Sequence, residues 1–246
     1  TYTRKGTERE INDRGEVKKE TTEIHEIYPA PGGGRVLKLI SENNVPLTPE
    51  RLAKEERRVG EELEKLEREN EKRKQKREQA AQRNETGAGK DGDDDDLGIS
   101  AFLRACEFVA PRRERFRERD AIVFDFRPRP GFKPSNRGES IASKLSGVVW
   151  IDPIDRQVMR LEARLDESFK IGGGLLASIK PGSAFAFEQT RLADGVWLPR
   201  FAQINAAAKV FLFAGFRIDA VREYSDYKRF STKTDEGKID APVKQQ

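Results

Sequence analysis

At 246 residues, with 47 Lys and Arg against 43 Asp and Glu, the chain is 37% charged yet carries a net charge of only +4. Basic and acidic residues are interleaved instead of gathered on one stripe, which argues against nucleic-acid binding. One cysteine, Cys106, excludes an internal disulfide and any multi-cysteine metal site, and no run of about 20 apolar residues could span a membrane as a helix.

The first 47 residues read as a hairpin meander. "TYTRKGTERE" and "VKKETTEIHEIY" are rich in Thr, Val, Ile and Tyr, with turn residues between them, and "RVLKLISEN" continues as a strand after the turn "APGGG". Because Thr1 already opens a strand-like stretch, the expectation is an exported chain whose signal peptide lies outside this numbering. From Pro49 the period changes. Thr48 is a good N-cap with Pro49 at the first helical position, and Leu52, Val59, Leu63 and Leu66 fall on one stripe. A long charged helix is therefore expected over 49–83, its second half without an apolar stripe. An acidic linker over 84–97 should follow, where consecutive aspartates lack the spacing of a calcium loop.

"ISAFLRACEF" has helical spacing at Ile99, Phe102, Leu103 and Cys106. Beyond it the signal is β almost to Phe230. "DAIVFDFRP" alternates, "RPRPGFKPSNRG" reads as a Pro-rich loop, and "ESIASKL" offers one or two helical turns. Then come "GVVWID", "RQVMRLEARL", "SFKIGGGLLASI", "SAFAFEQTRL", "GVWLPRFAQINAAA" and "KVFLFAGFRIDAVREYSDYKRF", joined by turn chemistry. Strands about 12 residues apart with tight joints predict an antiparallel up-and-down sheet, not βαβ units. Gly172, Gly173 and Gly174 read as a bend that lets the sheet curve, and 231–246 as a frayed tail.

One face of these strands is expected to carry the large groups Phe124, Phe126, Trp150, Phe185, Phe187, Phe201, Phe211, Phe213 and Phe216, and the other Arg, Glu, Gln and Asp with small residues such as Ala184 and Ala186. Two readings stand for the large groups, an ordinary core or an open apolar groove. Catalytic sets are poor. His25 is the only imidazole, expected exposed in a Glu-rich strand, and Asp152 and Asp155 flank Pro153 in a turn where carboxylates hold backbone amides. Glu162 and Arg164 are expected to join cross-strand ion pairs. The reading is of a chain that is not an enzyme, with no metal site and no cofactor.

"GVVWIDPIDRQVMRLEARL", followed by "EQTRLADGVWLPRFAQI", resembles the hairpins of the outer-membrane lipoprotein carrier and receptor superfamily, the LolA/LolB-like periplasmic proteins. The resemblance rests on Trp150-Ile151-Asp152 and Trp197-Leu198-Pro199 and covers roughly 120–230. It implies an incomplete antiparallel β-barrel with short plugging helices and a hydrophobic cavity for acyl chains, in the periplasm. The long charged helix and its acidic linker depart from that pattern.

The expectation is therefore a mainly β (α+β) protein with one β-domain over 1–230. It would bind a lipid, a lipoprotein acyl chain or another apolar ligand in the concave face of its sheet, lined by Phe124, Phe126, Trp150, Phe185, Phe187 and Phe213. Its partners would be a lipid or lipidated protein, at most peripheral to a membrane, and no nucleic acid. The alternative is an envelope interaction or sensor module that docks through the charged helix.

Overall fold

A computed structural model describes residues 1–12, 14–82, 99–171, 177–210 and 214–228. The expected linker 84–97, the Gly172 to Gly174 bend, Phe211, Phe213 and the tail 231–246 lie outside the described residues. What is described is predominantly antiparallel β. The chain divides into two compact units: Thr1–Gly6, Thr22–Glu85 and Tyr224–Gln246 form the first, and Thr7–Thr21 with Thr86–Glu223 the second.

The strands β1 (Tyr2–Ile11) and β2 (Val17–Pro29) each contribute one half to the first unit, with β3 (Arg35–Glu42) and β4 (Val45–Pro46). The β3–β4 turn is built on Asn43 and Asn44, both left-handed (φ 49° and 63°), the backbone a two-residue hairpin turn requires and Asn tolerates. The helix α1 (Pro49–Gln82) follows. Thr48 caps it, its carbonyl accepting from the Leu52 amide at 2.9 Å, with Pro49 at a position where no N–H is needed. Val59, Leu63 and Leu66 pack on Ala30, Val36 and Tyr28. The stripe ends there, so only the first half of the helix has an apolar face to bury.

His25, expected to be exposed, is buried. A bulge between Ile24 and His25 turns the imidazole inward, where Nδ1 lies 3.3 Å from the Arg4 guanidinium. Burial, and then the Arg4 charge, pushes its pKa down to about 4. Tyr2 packs against Tyr224 and Tyr227, with ring centroids 6.1 and 5.1 Å apart.

Besides parts of β1 and β2, the second unit holds α2 (Ile99–Ala105), β5 (Cys106–Phe116), β6 (Arg119–Pro128), α3 (Arg137–Ala142), β7 (Leu145–Ile151), β8 (Val158–Leu165), β9 (Phe169–Ile171), β10 (Ala177–Ile179), β11 (Ala184–Arg191), β12 (Trp197–Val210) and β13 (Ala214–Ser225) up to Glu223. Its strands run in the order β13-β12-β11-β8-β7-β6-β5, and β10 pairs with β12 and β9. β5 is an edge strand paired with β6 alone, so the sheet is open and not closed into a ring.

Two local readings need correction. α2 ends at Ala105, not Phe108, because the chain turns into β5, where the Arg129 guanidinium collects the carbonyls of Leu103, Arg104 and Cys106. α3 starts in the expected loop, at Arg137. The Asn136 side chain accepts from the Glu139 amide at 2.8 Å, while Glu139 reaches back to the Ser135 amide at 2.8 Å, a reciprocal cap. β5 accommodates Pro111 through a register shift between Val109 and Arg112, with Ala110 left-handed (φ 51°).

Candidate functional site

Strand register in the second unit decides which side chains share a face. Phe126 stands opposite Gly147, Gly147 opposite Ala163, Ala163 opposite Phe185, Phe185 opposite Ile204 and Ile204 opposite Ala220. Two residues along, Phe124, Val149, Leu161, Phe187 and Ala202 form a parallel row on the same face. This apolar face is closed at one end by α2 and α3. Ala101, Phe102, Ala105 and Ala142 pack there on Phe126, Leu145, Leu165 and Phe169, with the Phe102 and Phe126 rings edge to face at 5.7 Å. Among the described residues this cover does not extend to β12 and β13, where Ile204 and Phe216 are 36% and 37% exposed.

Of the expected lining, Phe124, Phe126, Phe185 and Phe187 thus share a face, and Phe213 lies outside the described residues. Phe126, only 2% exposed, is closed core and not a cavity wall. Trp150 belongs to the opposite face: it stands in register with Val123 and Arg160 and packs with Ala121, Val123 and Met159. Phe201, in register with Glu188, joins it there. Grouping aromatics by size missed this, because facing depends on parity along each strand and on the bulge between Glu188 and Gln189.

The second face is polar and tightly connected. Glu188, 4% exposed, accepts from Arg117 at 2.8 and 3.1 Å and from Arg160. Arg160 also donates to Glu162 at 2.7 Å and lies over the Trp150 ring at 5.9 Å. Arg117 comes from the β5–β6 turn, where it and Glu118 are both left-handed (φ 46° and 66°). For residues other than Gly that backbone costs on the order of 1 kcal/mol each. The contact that offsets it is the two-pronged bond from Arg117 to the buried carboxylate.

The β7–β8 hairpin closes this network. Asp152, 1% exposed, accepts from the amides of Ile154 and Asp155 at 2.9 and 2.8 Å and from Arg119 at 2.7 Å. Burial pushes its pKa up, but the Arg119 and amide hydrogen bonds hold it below the ordinary carboxylate value. Asp155 accepts from Arg191 at 2.6 Å and from the Trp197 indole at 3.0 Å, and Arg119 lies over the Trp197 ring at 5.7 Å. Trp-Ile-Asp and Trp-Leu-Pro are thereby linked through Arg119, which donates to both Asp152 and Asp155, and through Asp155, which accepts from Trp197. Glu162 and Arg164, expected in cross-strand pairs, instead pair along their own strand, with Arg160 at 2.5 Å and Asp166 at 3.5 Å.

Cys106 is buried, its thiol pushed up to about 11 by desolvation and donating to the Ala142 carbonyl at 3.4 Å. That is a packed thiol, not a nucleophile. Among the described residues no group of three or more His, Cys, Asp and Glu side chains could hold a metal ion, and no helix is long and apolar enough to cross a membrane. Glu188, Arg117 and Arg119 escaped the sequence reading. The one signal was a carboxylate in an otherwise apolar strand, "AFAFEQ". Comparison with protein-family models, with curated proteins and with solved structures finds no match.

Proposed function

We propose that the apolar face of the second unit binds a flexible apolar chain, such as the acyl chain of a lipid or lipidated protein, without covalent chemistry. The observation that carries this reading is the uneven cover of that face. α2 and α3 close one end over Phe126, while Phe185 and Phe187 lead out to Ile204 and Phe216, which are exposed on an open sheet. Exposed apolar groups that continue a core mark binding surfaces more often than scattered ones do.

Burial drives the reaction. Roughly ten methylenes at about 0.8 kcal/mol each give about 8 kcal/mol, against 4 kcal/mol or more for association, so affinity should be modest and reversible. A role as a lipoprotein carrier-like protein of the periplasm is the biological form of this proposal, motivated by the Trp150-Ile151-Asp152 and Trp197-Leu198-Pro199 hairpins.

The test is titration of the full chain with dansyl-labelled undecanoic acid, alongside native mass spectrometry of the purified protein for co-purifying lipid. Saturable binding that falls at least tenfold in Ile204→Asp and Phe216→Asp, with unchanged circular dichroism, is the expected result. Absence of uptake, or equal uptake by both variants, overturns the reading and leaves docking through α1 as the hypothesis to pursue.

A further inference from the structure

The polar face carries a depression of about 480 Å³ across β7, β8, β11 and β12. Its lining includes Arg164 and Glu162 on β8, Ala184 and Ala186 on β11, and Asn205 and Gln203 on β12. These fall in two rows of the register. Arg164 stands opposite Ala184, which stands opposite Asn205; Glu162 stands opposite Ala186, which stands opposite Gln203. Two polar walls therefore face each other across a floor of methyl groups. Adjacent strands lie about 4.8 Å apart, so the walls are roughly 10 Å apart at the backbone. Once side chains are allowed for, the slot has the width of one flat ring.

The donors and acceptors on these walls are in large part unengaged. Among the described residues the side chains of Gln203, Asn205 and Arg164 make no hydrogen bond, and Arg164 has only its 3.5 Å ion pair with Asp166. Each amide offers two donors and an acceptor, and the guanidinium five donors.

What such a slot would take follows by elimination. β11 is paired on both sides, with β8 and β12, so its backbone has no free edge for an added peptide strand. On this face the slot's apolar side chains are Ala184, Ala186 and Val148, which offer an acyl chain little. Around the slot the guanidiniums of Arg117, Arg160 and Arg164 are matched by the carboxylates of Glu188, Glu162 and Asp166. An anion therefore finds no surplus of positive charge.

We infer that this slot is a binding site for a neutral polyhydroxylated ring, that is, a saccharide. Hydroxyl groups both donate and accept. They can therefore use the Arg, Glu, Gln and Asn side chains of the two walls together. The site lies on the face opposite the proposed acyl surface and does not depend on that proposal.

The experiment is saturation-transfer NMR of the full chain with glucose, galactose, mannose, N-acetylglucosamine and the 1,4-linked disaccharides of glucose and of N-acetylglucosamine. At least one should bind in the millimolar range or tighter, with a loss of at least tenfold in Ala186→Trp, which fills the floor, and in Gln203→Ala. Phe216→Asp, on the other face, should bind as the unmodified chain does. Should Ala186→Trp fail to fold, Gln203→Ala, a surface truncation, carries the test alone. No binding by any of the sugars, binding that persists in Gln203→Ala, or displacement by inorganic phosphate at equal concentration overturns the assignment.

Discussion

The two faces of the second unit's sheet are made by alternate residues of the same strands, yet they are held together by different physics. The apolar face is stabilised by burial of Phe126, Leu145, Ala163 and Leu165 against two short helices, and its cohesion fades where the helices stop. The polar face is stabilised by directed bonds around Glu188, Asp152 and Asp155. There the two tryptophans act as hydrogen-bond donors and as platforms for Arg160 and Arg119. Apolar burial loses energy with every volume removed or forced in. A charge network does not tolerate a missing partner.

The largest effect should come from the apolar side. Phe126→Ala removes a closed-core ring and should cost about 3–5 kcal/mol in urea unfolding; a loss under about 1 kcal/mol would mean that α2 and α3 do not seal this end. Gly147 comes next. A Cβ there would meet the Glu162 carbonyl oxygen at 1.9 Å and the Phe126 ring at 2.8 Å, so Gly147→Ala should cost about 3 kcal/mol by forcing β7 away from β8. A neutral result would show that the register between these strands is wrong.

On the polar face, Glu188→Ala leaves Arg117 and Arg160 without their shared acceptor and should cost about 2 kcal/mol. If unfolding shows less than about 0.5 kcal/mol, this face is merely a solvated surface and the contrast collapses. Acid sharpens it further. Hydrogen bonds from Ser135, and then from Arg104, hold the Glu139 carboxyl down to about 2. A carboxylate lowered in the folded state contributes stability that is complete above its ordinary value and is lost as pH falls. Glu139→Gln should therefore flatten the loss of stability between about pH 4.5 and 2, and an unchanged acid profile would remove Glu139 from the account. The smallest change is Phe216→Asp, expected within about 0.5 kcal/mol of the unmodified chain because the ring is already exposed. A large destabilisation there would mean that Phe216 is covered, and the proposed acyl surface with it.

Much of the architecture was legible. Alternation in "DAIVFDFRP", turn chemistry at Asp152 to Asp155, and the change of period at Pro49 each follow from local preferences written into neighbouring residues. β5 was hidden because "RRERF" carries charge on an exposed edge strand, where both faces near its end meet water. The start of α3 was hidden although "SNRGE" spells a reciprocal cap, since the prolines before it read as loop. His25 misled because a bulge, not its Glu-rich neighbours, sets its direction.

By itself the sequence determined that this protein is built mainly of antiparallel strands joined by tight turns. Those facts depend on spacing within a dozen residues, and spacing is what a sequence contains. Only the tertiary structure decided that Phe124 and Trp150 look in opposite directions. It also decided that Arg117 reaches Glu188, 71 residues away, and that Ala184 and Ala186 floor a slot between polar walls. Each depends on register between strands distant along the chain, which is fixed by the packing of the whole sheet and not by any local run of residues.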